Sequence, residues 1–92
     1  MLNFEGRTAF VTGGGNGIGL GLARALLARG AKVAIADIRE DAIHTALKTL
    51  DNQHVIGIPL DVASRSGFAD AADEAERALG PISLLFNNAG IN

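Results

Sequence analysis

The chain has 92 residues, of which 48% are hydrophobic, and eight Lys and Arg against ten Asp and Glu leave a formal net charge of −2. This length allows one small domain with a modest core, and the scattered basic residues exclude a nucleic-acid surface, which needs a clustered basic face. Cysteine is absent, which removes disulfides, thiolate zinc sites and thiol redox chemistry.

His44 and His54 stand at no familiar metal-ligand spacing, so no metal site is expected. No apolar run approaches the ~20 residues that span a bilayer. The start, Met1-Leu2-Asn3-Phe4-Glu5-Gly6-Arg7, lacks the charged-then-apolar order of a signal peptide. The expectation is a soluble, cytoplasmic protein without a membrane or nucleic-acid partner.

After a polar lead-in, Thr8 to Thr12 read as a short buried strand. Five glycines then fall within the seven positions Gly13 to Gly19. From Ile18 to Arg29 the residues Ile18, Leu22, Ala25 and Leu26 form one apolar helical stripe, widened by Leu20, Ala23 and Leu27. Gly30 supplies the left-handed residue that ends the helix. Lys32 to Asp37 is a second strand, and its unbroken apolar centre predicts a parallel strand covered on both faces.

A second helix runs from about Glu40 to Leu50, with Ile43, Ala46, Leu47 and Leu50 inward and Glu40 and Asp41 well placed at its positive end. Asp51-Asn52-Gln53 is a turn, and Val55 to Leu60 a third strand in which Pro59 belongs near the end or on an edge. Ser64 or Ser66 caps a third helix whose stripe is Phe68, Ala71, Ala72, Ala75 and Leu79, and Gly80-Pro81 stops it. Ile82 to Phe86 is a fourth strand, left by Asn87-Asn88-Ala89-Gly90-Ile91-Asn92.

The order β-α-β-α-β-α-β predicts right-handed crossovers in a parallel α/β sheet. A doubly wound (Rossmann) sheet has spatial order 3-2-1-4, and its ligand crevice opens at the carboxyl ends of strands 1 and 4, where the order reverses. The glycine turn and Asn87 to Gly90 both fall there. A strand that ends in a glycine turn and starts a helix aims unpaired amides and the helix dipole at the turn, which binds phosphate. A dinucleotide's pyrophosphate is therefore expected on this turn. Asp37, at the end of strand 2, can accept hydrogen bonds from ribose 2′- and 3′-hydroxyls and would repel a 2′-phosphate, which favours NAD over NADP. The bland alternative is a solvated acid capping the next helix. Arg39 is read as a solvated surface arginine, with a reach toward a 2′-phosphate as the alternative, and Asn16 carries no positive charge.

The glycines match neither a phosphate-binding NTPase loop, since no Gly-Lys-Ser/Thr follows, nor G-x-G-x-x-G. They do match T-G-x-x-x-G-x-G, with Thr12, Gly13, Gly17 and Gly19 in register. With Asp37, Asp61-Val62 and Asn87-Asn88-Ala89-Gly90, the chain resembles the short-chain dehydrogenase/reductases from Arg7 to Ile91. The resemblance implies a cofactor site built from Gly13, Gly15, Asn16, Gly17, Ile18 and Gly19 in the turn, Asp37 and Ile38 after strand 2, Asp61 and Val62 after strand 3, and Asn87, Asn88, Ala89 and Gly90 after strand 4. Asp61 and the Val62 amide are implied to meet the adenine; an Asx turn leading into helix 3 is the compatible local reading.

The family's catalytic serine and Tyr-x-x-x-Lys are implied to follow the next strand. This sequence has no tyrosine, so no catalytic residue is assigned and the 92 residues alone are expected to be inactive. The expectation is an NAD-binding half, residues 1–92, of an oxidoreductase that moves hydride to or from an alcohol or carbonyl substrate. The alternative is a complete, non-catalytic dinucleotide-binding or interaction module. A methyltransferase-type fold shares the glycine loop and the acid but does not call for Asn-Asn-Ala-Gly. A bare strand 4 edge would leave Leu84, Leu85 and Phe86 poorly shielded, so self-association into a homo-oligomer is expected.

Overall fold

The computed structural model describes residues 3–88. Four parallel strands, β1 (Thr8–Thr12), β2 (Lys32–Asp37), β3 (Val55–Pro59) and β4 (Ile82–Asn87), alternate with three helices, α1 (Gly17–Ala28), α2 (Glu40–Leu50) and α3 (Arg65–Leu79). The sheet order is β3-β2-β1-β4, the doubly wound arrangement expected from the sequence.

Successive residues of β1 and β2 feed opposite cores, because side chains alternate across a strand. Ala9, Val11, Val33 and Ile35 pack with Ala23 and Leu26 of α1 and Ile43 and Ala46 of α2. On the other face Phe10, Ala34 and Ala36 pack with Ile58, Leu60, and Ala71 and Ala75 of α3. The Phe10 and Phe68 rings lie 5.6 Å apart, tilted by 50°, an arrangement that aromatic pairs favour. Val33 to Asp37 are all buried, as a doubly covered parallel strand requires. Small alanines on one strand face let α3 approach closely while the branched residues of the other face fill the space under α1 and α2.

The element ends differ from the sequence reading in informative ways. β3 stops at Pro59 on the sheet edge, and the Leu60 amide instead reaches back to the Asp37 carbonyl at 2.9 Å. β4 runs one residue further than expected, through Asn87, because Asn87 stays in register with Thr12. Helix α1 starts at Gly17, and Ile18, expected at the head of its apolar stripe, is 72% exposed. Ile18 precedes Leu22 by one turn, which carries it past the carboxyl end of the sheet, where no strand covers it. On β4, Leu84 and Phe86 are half-buried against the α1/α2 core and only Leu85, at 57% exposure, stands clear. The expectation of three poorly shielded residues therefore holds for Leu85 alone, because the strand's alternation turns its neighbours inward.

The helix ends show the expected chemistry. Gly30 adopts φ +88° after α1 and Gly80 φ +103° after α3, left-handed values that glycine takes without Cβ strain. Asp51 ends α2 in the same region with φ 44°. Of the two candidate caps for α3, Ser64 fills the role, its Oγ accepting from the Gly67 amide at 3.0 Å, while Ser66 lies inside the helix. Among the described residues no helix is long and apolar enough to cross a membrane. Ser64→Ala should lower unfolding stability by about 1 kcal/mol, measured by urea titration, because an orphan helix amide loses its acceptor. Ser66→Ala should stay within about 0.5 kcal/mol.

Candidate functional site

The carboxyl ends of the four strands meet at the turn between β1 and α1. Gly13 leaves β1 with φ +67°, and its amide donates to the Ala36 carbonyl at 2.7 Å, fastening the turn to β2. Gly19 closes the turn from the other side: a Cβ there would overlap the Gly13 carbonyl oxygen. Gly17, between them, is different. A Cβ at Gly17 would meet nothing within 4 Å and its φ is not positive, so the chain's own packing does not demand a glycine there. The space it leaves is outside the protein, at the start of α1. That helix begins at Asn16 without a side-chain cap and has no acidic residue in its first turn, whereas α2 begins with Glu40 and Asp41. The positive end of α1 is thus left uncompensated, with unpaired amides that suit an external anion.

Asp37 follows on β2. It is 7% exposed, and a buried carboxylate is tolerated only when donors replace its water. The Gly15 amide donates to Oδ2 at 3.2 Å and the Arg39 amide to Oδ1 at 3.1 Å. The Arg39 Nε adds a weaker charge contact to Oδ1 at 3.9 Å. Asp37 is therefore neither solvated nor the cap of α2, whose N-cap is Arg39. Each carboxylate oxygen has two acceptor sites, so capacity remains for a ligand's hydroxyls.

Beyond β3, Asp61 forms the Asx turn expected of it, with its Oδ1 accepting from the Ala63 amide at 3.0 Å and its carbonyl from the Ser64 amide at 3.0 Å. Beyond β1 and at the end of β4, Thr12 Oγ1 donates to Asn87 Oδ1 at 2.9 Å, with the Phe86 carbonyl at 3.4 Å. Asn88 Nδ2 donates to the Gly13 carbonyl at 3.3 Å. The paired asparagines thus join the end of β4 to the root of the glycine turn. Ala89 and Gly90 lie outside the described residues.

A cleft of about 300 Å³ opens across the carboxyl ends of β1, β2 and β3, lined by Gly13, Asn16, Ala36, Asp37, Ile38, Arg39, Leu60, Asp61 and Val62. It unites Gly13, Asn16, Asp37, Ile38, Asp61 and Val62 from the residues named by sequence. Gly15, Gly17, Ile18 and Gly19 belong to the adjoining turn, and Asn87 and Asn88 to the β4 side of it; none of these six lines the cleft. Ile38 and Val62, 65% and 43% exposed, place apolar surface at a polar crevice. Among the described residues, no three His, Cys, Asp or Glu converge on a common metal position.

The family model described as short chain dehydrogenase matches residues 7–92. This chain belongs to the short-chain dehydrogenase family. The family chain is 40% identical to a C alpha-dehydrogenase of a Sphingobium species, over all of its own length and 31% of that protein's. A solved short-chain dehydrogenase from Novosphingobium aromaticivorans superimposes with TM-score 0.89 at 58% identity, over 92% of this chain and 32% of that one. One from Burkholderia phymatum, solved in complex with NAD, superimposes with TM-score 0.86 at 34% identity, over 92% and 31%. The chain thus spans about a third of the length of the curated relatives it matches.

Three residues of the cleft were not named as site residues by sequence: Ala36, Leu60 and Arg39. Ala36 and Leu60 sit at the carboxyl ends of β2 and β3, where ligand crevices of doubly wound sheets lie, so their position was a usable signal. Arg39 gave no such signal. It was read as a surface arginine, and 58% of its side chain is exposed, yet it lines the cleft beside Asp37.

The turn's geometry separates its glycines. Gly19→Ala forces a methyl group onto the Gly13 carbonyl and should cost about 1–3 kcal/mol of stability. Gly21→Ala, where a Cβ meets nothing within 4 Å in the same helix, should gain up to about 1 kcal/mol. Paired thermal melts by circular dichroism check both.

Proposed function

We propose that residues 1–92 form the NAD(H)-binding half of a short-chain oxidoreductase that acts on an alcohol or carbonyl substrate. The observation that carries the reading is the shared cleft, in which a buried, amide-bonded carboxylate, Asp37, adjoins an uncapped helix start and the open position of Gly17. The residues present fit a dinucleotide: unpaired amides at the start of α1 suit a pyrophosphate, and Gly17 allows the backbone to come close to it. Asp37 would accept the adenosine ribose hydroxyls. Ile38 and Val62 would flank the adenine, and Asp61, held in its Asx turn, would accept from the adenine amino group. Asn87 and Asn88 would fix the end of β4 beside the cofactor, together with Ala89 and Gly90. The cofactor, when bound, supplies the hydride acceptor or donor; these residues bind and orient it.

The acid/base groups of the reaction are not assigned here, because the sequence has no tyrosine and the family resemblance places its Ser and Tyr-x-x-x-Lys beyond β4. A non-catalytic dinucleotide-binding module would share every feature of the cleft, and the two readings part on turnover rather than on binding.

Calorimetric titration should show NADH binding more tightly than NADPH, and a reversed preference would overturn the role given to Asp37. Asp37→Ala should shrink the difference by roughly ten- to a hundredfold, the value of about 1.5–3 kcal/mol for hydrogen bonds to a charged group. It should also lower stability, since the Gly15 and Arg39 amides lose their acceptor. Gly17→Ala makes a sharper test. It should leave the melting temperature unchanged or slightly raised, because a Cβ there meets open space, while weakening NADH binding at least tenfold by blocking the approach of the pyrophosphate. Unchanged NADH affinity in Gly17→Ala would remove the turn from the site.

A further inference from the structure

Arg39 is the only basic residue that lines the cleft, against the two acids Asp37 and Asp61. Its Nε stands 3.9 Å from Asp37 Oδ1, the only ion pair among the described residues. Two features set it apart from an ordinary surface arginine. Its side chain folds back on the carboxylate at the cleft although its own backbone amide already satisfies the same oxygen at 3.1 Å. And its guanidinium makes no hydrogen bond among the described residues, which leaves its donors available at the cleft mouth. A guanidinium presents a planar fork of donors suited to phosphate oxygens.

The carboxylate it faces is 7% exposed, and a charge so placed is screened less by water and salt than a surface charge. Alone, it would oppose a second phosphate near the ribose strongly, since a phosphomonoester carries roughly −1.5 to −2 charges at neutral pH. Asn16, across the cleft, is neutral, and Asp61 adds to the repulsion. Any offset must come from Arg39.

We propose that Arg39 is a second specificity-determining residue: paired with Asp37, it offsets the acid's charge and lets the cleft accept an adenine dinucleotide with a 2′-phosphate as well as one with a free 2′-hydroxyl. The preference set by Asp37 is then graded, not absolute. This rests on the dinucleotide reading above. It makes Arg39 a donor to the ligand's phosphate and a partner of Asp37 at once, with the pair opening when the phosphate arrives.

The test compares NADH and NADPH dissociation constants by calorimetry in the parent chain, Arg39→Gln and Arg39→Lys, with melts by circular dichroism to verify folding. Gln keeps the backbone amide bond to Asp37 and removes only the charge and the fork. The NADPH-to-NADH ratio of dissociation constants should rise about tenfold in Arg39→Gln, and Arg39→Lys, which restores the charge, should recover most of it. A ratio within twofold of the parent in Arg39→Gln overturns the proposal and leaves Arg39 a solvated side chain. Arg39→Lys behaving like Arg39→Gln also overturns it, because charge compensation is then not the cause. If the parent chain binds neither dinucleotide, the underlying reading falls and this one with it; if NADH binds and the ratio is unmoved, only the role of Arg39 fails.

Discussion

The carboxyl end of this sheet is organised by how one buried carboxylate is satisfied. Asp37 closes β2 at 7% exposure, and removing a charge from water costs several kcal/mol unless donors replace the lost hydration. Those donors come from two loops at once: Gly15 in the turn after β1 and Arg39 in the link to α2. One side chain therefore holds the glycine turn against the exit of β2, and the backbone adds the Gly13 and Gly14 amides on the Ala36 carbonyl. The turn is drawn into a single conformation before any ligand is present, which spares a ligand the entropic cost of ordering it.

The rest of the fold makes that position possible. β2 is covered on both faces, by α1 and α2 on one side and α3 on the other, so its last residue can be buried while its side chain still reaches the crevice. The small residues Ala34 and Ala36 allow α3 to lie close. At the other border, β4 joins β1 with Thr12 opposite Asn87, and their 2.9 Å hydrogen bond, with Asn88 on the Gly13 carbonyl, braces the root of the turn. The asparagines belong to the support of the glycine turn as much as to its face. Membership of the short-chain dehydrogenase family accords with a scaffold in which the first four strands already assemble a complete crevice.

Much of this was legible in the sequence because it rests on local chemistry. The 3.6-residue stripes of α2 and α3 identified Ile43, Ala46, Ala71 and Ala75 as buried, and the unbroken apolar run of β2 identified a strand with two covered faces. Gly30 and Gly80 marked helix ends by their left-handed backbone. Ile18 shows where periodicity stops being informative. It has the right phase for the apolar face of α1 but lies beyond the end of the sheet, and the stripe says nothing about where the surface it packs on comes to an end. The choice between Ser64 and Ser66 was similarly open, since either residue type can cap and only the start of α3 decides which one does.

Arg39 lay furthest from what a sequence can disclose. Its residue type and spacing suit solvent as well as a crevice, and its contact with Asp37 depends on the extended backbone at the head of α2 (ψ 111°). Sequence alone determined the elements, their order, the parallel winding and the glycine spacing, because each follows from steric and periodic rules acting over a few residues. Tertiary structure decided that Asn16, Asp37 and Asp61 border one cleft, that Gly17 faces open space, and that Asp37 is buried and bound to the turn. Those facts arise where the strand order reverses beside β1, which brings loops distant along the chain to one edge, and no rule acting over neighbouring residues can supply them.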